Sequence, residues 1–113
     1  MNELISIVII TYKRPITVLK RAIDSARFQD YKNLEIIIVN DCPEDSEGSL
    51  AIDKLVASYD DSRIILKHHQ KNKGANAARN TGLNIGHNNK TTQRKLWTKF
   101  IKIWTNWEFE KIN

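Results

Sequence analysis

Leu34-Glu35-Ile36-Ile37-Ile38-Val39-Asn40-Asp41 is the stretch on which the fold turns. Apart from Glu35, residues 34–39 are apolar, and Ile36 to Val39 are four β-branched residues in succession. There is no alternation of polar and apolar positions, so both sides of the extended chain call for burial, which suits a strand of a parallel sheet covered on both faces. Asn40-Asp41-Cys42-Pro43 stops the run. On its N-terminal side, Leu4 to Ile10 is a second such run, broken only by Ser6, and Arg63 to His68 is a third with Ile64-Ile65-Leu66 at its centre.

Helical patterns lie between and after these runs. Pro15 stands where a helix begins, its fixed φ and missing N–H harmless in a first turn, and Val18, Leu19, Ala22, Ile23 and Ala26 recur at helical spacing up to about Phe28. Leu50, Ala51, Leu55, Val56 and Tyr59 make a second amphipathic helix. Gly74 opens an Ala-rich third one reaching about Ile85, whose Ala75, Ala78 and Gly82 allow close approach to a sheet. Strand and helix in threefold alternation predict an α/β fold, a three-layer Rossmann-like parallel sheet with right-handed crossovers. Ligands in such sheets bind at the carboxyl ends of the strands, which singles out the loops Thr11–Arg14, Asp41–Asp45 and His69–Gly74.

With 113 residues the chain has room for one domain and little more. Residues 1–86 carry 12 Lys/Arg against 11 Asp/Glu and residues 87–113 carry 6 against 2, so the net charge of +5 belongs mostly to the tail. A nearly neutral body argues against nucleic-acid binding, which wants a concentrated basic face. No apolar run approaches the roughly 20 residues of a membrane-spanning helix, and Met1-Asn2-Glu3-Leu4 lacks the pattern of a signal peptide. Cys42 is the only cysteine, so no intrachain disulfide forms and a reducing, cytoplasmic setting is expected. Cys42 itself reads as a small packed thiol, with no basic partner to activate it.

The ends of the three apolar runs resemble the signatures of the family 2 inverting glycosyltransferases of GT-A fold. The first run ends in Ile10-Thr11-Tyr12-Lys13-Arg14-Pro15, the second in Val39-Asn40-Asp41, and the third leads to Asn72-Lys73-Gly74-Ala75-Asn76-Ala77-Ala78-Arg79-Asn80-Thr81-Gly82-Leu83. The resemblance covers about three-quarters of the chain. It implies a glycosyltransferase of the hexosyltransferase type, whose nucleotide-binding half occupies residues 1–86 and binds a nucleotide diphosphosugar, a UDP-sugar first of all, with a carbohydrate or lipid-linked acceptor for the complete enzyme. By resemblance Asp41 recognises the base, and Thr11 and Tyr12 contact the nucleoside. Arg79 meets the diphosphate through paired N–H donors, and Gly74 with the first N–H groups of its helix adds an anion-friendly site that Lys73 assists. Arg14 caps the pocket, and Asp45 keeps the last position of the second signature. Each has a plainer alternative: a local turn for Asp41, a rim aromatic for Tyr12, solvation for Arg14 and Lys73, and a surface ion pair for Arg79.

Three departures qualify the resemblance. Cys42-Pro43-Glu44 stands where the family has Gly-Ser and one further residue. No fourth strand ending in an Asp-x-Asp pattern follows Gly82-Leu83, so the carboxylates that would hold the expected Mg²⁺ or Mn²⁺ are missing; Asp60-Asp61 precedes the third strand, at the opposite edge of the sheet, and Glu108-Phe109-Glu110 lies in the tail. No residue matches the base that deprotonates the acceptor. The expectation is therefore a truncated or frame-disrupted form, or a fragment, poorly active or inactive, with no identified catalytic residue or metal site. The tail, residues 87–113, holds all three tryptophans, and Leu96, Trp97, Phe100, Ile101 and Trp104 beside Lys95, Lys99 and Lys102 read as a C-terminal basic amphipathic helix. That stripe either covers a sheet edge or lies on an anionic membrane, the inner face in this setting. The alternative overall reading is a non-catalytic nucleotide-binding or membrane-surface module, and an incomplete sheet favours homo-oligomers.

Overall fold

The computed structural model describes residues 4–43, 45–88 and 97–98. The chain runs β1 (Ile5–Thr11), α1 (Ile16–Arg27), β2 (Leu34–Asn40), α2 (Glu47–Tyr59), β3 (Ile64–His68), α3 (Ala75–Asn88) and β4 (Trp97–Thr98). The sheet has the order β3-β2-β1-β4, with every pair parallel. β1 and β2 pair along their whole lengths from Ile5↔Leu34 to Thr11↔Asn40.

Burial on both faces follows from the near-continuous apolar runs. Ile7 and Ile9 of β1 and Ile36 and Ile38 of β2 point to one side, where they pack with Leu19, Ala22, Ile23 and Ala26 of α1 and Ile52 of α2. Val8, Ile10, Ile37 and Val39 point to the other side, against Ala78 of α3. The result is the expected three layers. Pro15 takes the N-cap position of α1, one residue before the predicted place, and its carbonyl accepts from the Val18 N–H at 3.0 Å.

Helix α3 approaches the sheet closely because its facing stripe is small. Ala78 is fully buried, and a Cβ added at Gly82 would lie 2.5 Å from Val8 Cγ1. One turn on, a Cβ at Gly86 would meet Ser6 Oγ at 3.3 Å. Gly86 thus extends the stripe of small residues read from the sequence.

At the opposite end, Asp61 binds Arg27 at 3.1 Å and Arg63 at 3.0 Å, and the Arg27 guanidinium lies 4.5 Å from the Tyr59 ring centre. The hydrogen bonds from Arg63 hold the Asp61 carboxyl well below the usual carboxylate range, against the smaller effect of burial. Asp61 therefore ties α1 to the turn before β3.

The tail differs from expectation where it is described. Trp97–Thr98 is extended and pairs with Ile5 and Ser6 instead of forming a helical turn. The open edge of β1 offers unpaired backbone groups there, and pairing outcompetes the helical spacing of the apolar residues. A fourth strand therefore exists, two residues long, but Lys99-Phe100-Ile101 follows it where carboxylates were sought. Leu96, Phe100, Ile101, Trp104, Glu108 and Glu110 lie outside the described residues.

The helix approach sets a first test. Gly82→Ala is expected to lower unfolding stability by about 1–3 kcal/mol through overpacking against Val8. Gly48→Ala, whose Cβ meets nothing within 4 Å, is expected to raise it by about 0.5 kcal/mol. Urea unfolding of the two variants checks both signs.

Candidate functional site

The sheet order places a switch point between β1 and β4, because the chain leaves β1 towards β2 and β3 and returns through α3. In open parallel sheets the crevice at that point, outside the carboxyl ends of the strands, is where ligands bind. A cavity of about 260 Å³ lies at the carboxyl end of β1, with Tyr12, Arg14, Asp41, Asn72, Gly74 and Ala75 in its wall.

Each wall segment is positioned by the element behind it. β1 ends at Thr11, and Lys13 turns the chain with a φ of +50°, a left-handed conformation uncommon for a residue with a side chain. Tyr12 is left 43 % exposed, with the Lys13 ammonium 5.4 Å from its ring centre. The Asp41 N–H donates to the Thr11 carbonyl at 2.9 Å, so the β1–β2 ladder runs on to the cavity.

Asp41 is the most heavily bonded side chain of the site. Its Oδ1 accepts from the Lys73 N–H at 2.8 Å and from His69 Nδ1 at 2.7 Å, and its Oδ2 accepts from the Gly74 N–H at 2.8 Å. Burial works to raise its pKa, but the hydrogen bonds from His69, Lys73 and Gly74 outweigh it and hold the carboxyl below its ordinary value. Asp41 is therefore ionised at neutral pH and accepts only. Gly74, at φ +95°, supplies the left-handed turn that lets two successive N–H groups face one carboxylate.

This arrangement changes the expected anion site. The Lys73 and Gly74 N–H groups already face Asp41, so the donors of α3 that remain for a ligand are those of its first turn, from Ala75 onward. Arg79 lies one turn into α3, donates to Asn76 Oδ1 at 2.7 Å, and does not line the cavity. Thr11 is buried and enters through its carbonyl. Asp45 borders a separate cavity with Lys67, His68 and Gln70. The structure thus gathers Tyr12, Arg14, Asp41 and Gly74 around one space, brings Lys73 in through its backbone, and sets Asp45 and Arg79 outside that wall.

A larger, mainly apolar cavity of about 350 Å³ lies on the α1–α2 side, walled by Ile16, Cys42, Ala51 and Ile52. It shares Lys13 and Arg14 with the first but contains neither Tyr12, Asp41 nor Gly74. The smaller cavity is the better candidate, because three strand-end loops meet there. Sequence reading assigned no role to His69 or Thr81, whose ring and hydroxyl stand 2.8 Å apart behind Asp41. The only signal available was a histidine directly after a parallel strand. Among the described residues no group of three or more His, Cys, Asp or Glu is placed to hold a metal ion, and no helix is long and apolar enough to cross a membrane.

Comparison with known proteins agrees with this fold. Residues 6–88 match glycosyl transferase family 2. The chain is 40 % identical over 82 residues to a putative colanic acid biosynthesis glycosyl transferase of Escherichia coli, covering 73 % of this chain and 28 % of that protein. It is 41 % identical over 83 residues to an Escherichia coli UDP-Glc:alpha-D-GlcNAc-diphosphoundecaprenol beta-1,3-glucosyltransferase, covering 74 % and 31 %. Among solved structures, a mannosyltransferase from Pyrobaculum calidifontis in complex with GDP-Man and Mn²⁺ superposes with a TM-score of 0.61 at 20 % identity, over 72 % of this chain and 24 % of that one. The TarS 1–349 structure from Staphylococcus aureus gives the same TM-score at 19 % identity, over 87 % and 26 %. The chain therefore spans less than a third of each of these proteins.

Asp41→Ala leaves the Lys73 and Gly74 N–H groups without their acceptor and is expected to cost about 2–4 kcal/mol at pH 7. The carboxyl is depressed in the folded state, so its stabilisation is present above the ordinary carboxylate pKa of about 3.9 and is lost as pH falls below it. The gap between wild type and variant in chemical denaturation should accordingly narrow below about pH 4.

Proposed function

Since the chain belongs to glycosyl transferase family 2, we propose that the cavity at the end of β1 receives the nucleotide of a nucleotide diphosphosugar, with uracil as the base. The observation that carries this reading is the meeting of Tyr12, Asp41 and the start of α3 around one space of about 260 Å³. Tyr12 offers an exposed aromatic face for a base to stack on. Asp41 is an ionised acceptor for a base N–H, with three of its roughly four acceptor positions already filled. The first-turn N–H groups of α3, with Arg14 at the rim and Arg79 one turn away, suit a diphosphate. Uracil is favoured as the base because a relative 41 % identical to this chain is named for its use of UDP-Glc.

Thr11 shapes this site through its backbone and Lys73 through its N–H group, while Asp45, on a separate cavity, takes no part in it. Arg79 reaches the diphosphate by exchanging its bond to Asn76. In the complete family fold the sugar passes to a carbohydrate or lipid-linked acceptor with inversion, aided by a divalent cation that neutralises the diphosphate. Among the described residues no group of three or more His, Cys, Asp or Glu is placed to hold that cation by itself. We assign transfer to the two-thirds or more of the relatives' length that this chain does not span, so that the chain alone binds nucleotide without turnover.

Calorimetric titration of UDP, with and without Mn²⁺, tests the reading. Wild type should bind in the absence of metal. Tyr12→Ala should weaken binding five-fold or more, from about 1–3 kcal/mol of base stacking. Absence of UDP binding at about millimolar concentrations, or an affinity unchanged by Tyr12→Ala, would sink it. RNA binding that falls steeply with salt would point instead to the basic tail.

A further inference from the structure

We propose that His69 and Thr81 are positioning residues that lock Asp41 from behind as an accepting group of fixed orientation, and that this lock makes the cavity select uracil over cytosine nucleotides. The inference rests on the nucleotide reading above and adds to it a device outside the cavity wall.

His69 follows β3 directly, and its N–H continues the sheet by donating to the Asn40 carbonyl at 2.8 Å. The ring is thereby placed beside the end of β2, buried, and carries a polar partner on each nitrogen. Nδ1 stands 2.7 Å from Asp41 Oδ1 and Nε2 stands 2.8 Å from Thr81 Oγ1, whose hydroxyl is 3.0 Å from the Ala77 carbonyl. An ionised carboxylate only accepts, so Nδ1 is the donor. The chain of contacts Asp41–His69–Thr81–Ala77 runs from the cavity into the second turn of α3. Neither His69 nor Thr81 lines the cavity itself.

The geometry gives this chain a purpose beyond packing. His69 approaches Asp41 from the start of the β3–α3 loop and the Lys73 and Gly74 N–H groups from its end, so donors from both ends of one loop fix the carboxylate plane. Oδ1 has two donors and Oδ2 has one, which leaves one acceptor position, on Oδ2. A base presenting an N–H there, as uracil does at N3, completes the carboxylate. Cytosine presents a lone pair at the same atom, and two acceptors facing each other in a partly desolvated site repel. Discrimination of this kind needs a carboxylate that can neither rotate away nor take up a proton to become a donor. His69 opposes both changes, and Thr81 holds the His69 ring in the plane that does so.

The test compares affinities for UDP and CDP. Wild type should prefer UDP by about ten-fold or more. His69→Phe keeps the ring volume but removes both nitrogens, and should reduce that preference to about two-fold or less. Thr81→Val, nearly isosteric, should lower it in the same direction, while Thr81→Ser should retain it. His69→Asn places an amide donor near the Nδ1 position and should recover most of the preference. A role in packing alone would weaken UDP and CDP binding equally and leave their ratio unchanged, so an unchanged ratio in folded His69→Phe and Thr81→Val overturns the inference while the nucleotide reading stands. Equal UDP and CDP affinities in wild type overturn it as well. Should His69→Phe fail to fold, Thr81→Val against Thr81→Ser decides. A wild-type protein that binds neither nucleotide removes the functional reading and this inference together.

Discussion

Three donors converge on one carboxylate, and the arrangement of the site follows from that. Asp41 sits just beyond the last residue of β2, yet its partners come from the residue after β3 and from the two residues before α3. Without an anion at this point, the part-buried backbone N–H groups of Lys73 and Gly74 would lose their acceptor, at a cost of up to about 1–3 kcal/mol each. The loop folds around the carboxylate because that is the nearest acceptor strong enough to satisfy two successive N–H groups. The start of α3 is thereby fixed in space, and with it the direction in which the helix crosses the sheet.

That direction is usable only because the helix can come close. Ala78 and Gly82 present almost no side chain to Val8. A larger residue at Gly82 would lift α3 off β1 and carry its first turn away from Tyr12. The Ala-rich stripe and the Asp41 contacts therefore act on the same element from different ends: one sets how far α3 stands from the sheet, the other where it begins. Together they define a cavity whose walls come from the end of β1, the residue after β2 and the start of α3, which lie far apart in sequence.

Much of this was legible in the residues. Apolar runs at Leu4–Ile10 and Leu34–Val39, interrupted only by Ser6 and Glu35, leave no hydrophilic side for a strand to expose, so helices on both faces follow from burial. The small stripe of α3 likewise announces close packing. Hydrogen bonding across the chain was less legible, because it depends on three-dimensional approach: nothing in the spacing of Asp41, His69 and Thr81 says that they form one chain of contacts. The same reason explains why the Gly74 turn read as an empty anion site. Sequence shows the donors, but only the fold shows that the chain brings its own carboxylate to them. At Trp97–Thr98 the periodicity of apolar residues suggested a helix, and the unpaired edge of β1 provided a competing partner that periodicity does not register.

The edge of β1 also links the sheet to the site. β4 pairs with β1 only at Ile5 and Ser6, at the end far from the cavity. From Ile7 to Thr11, among the described residues, β1 pairs on its other side with β2 alone. Those five residues lead straight to Tyr12, so a strand added along them would end beside the Tyr12 ring, on the flank of the cavity opposite Asp41's own strand. The topological rule that places ligands at the switch point has here a local physical content. Among the described residues, a strand added along that side of β1 would displace neither the Asp41 contacts nor the close approach of α3.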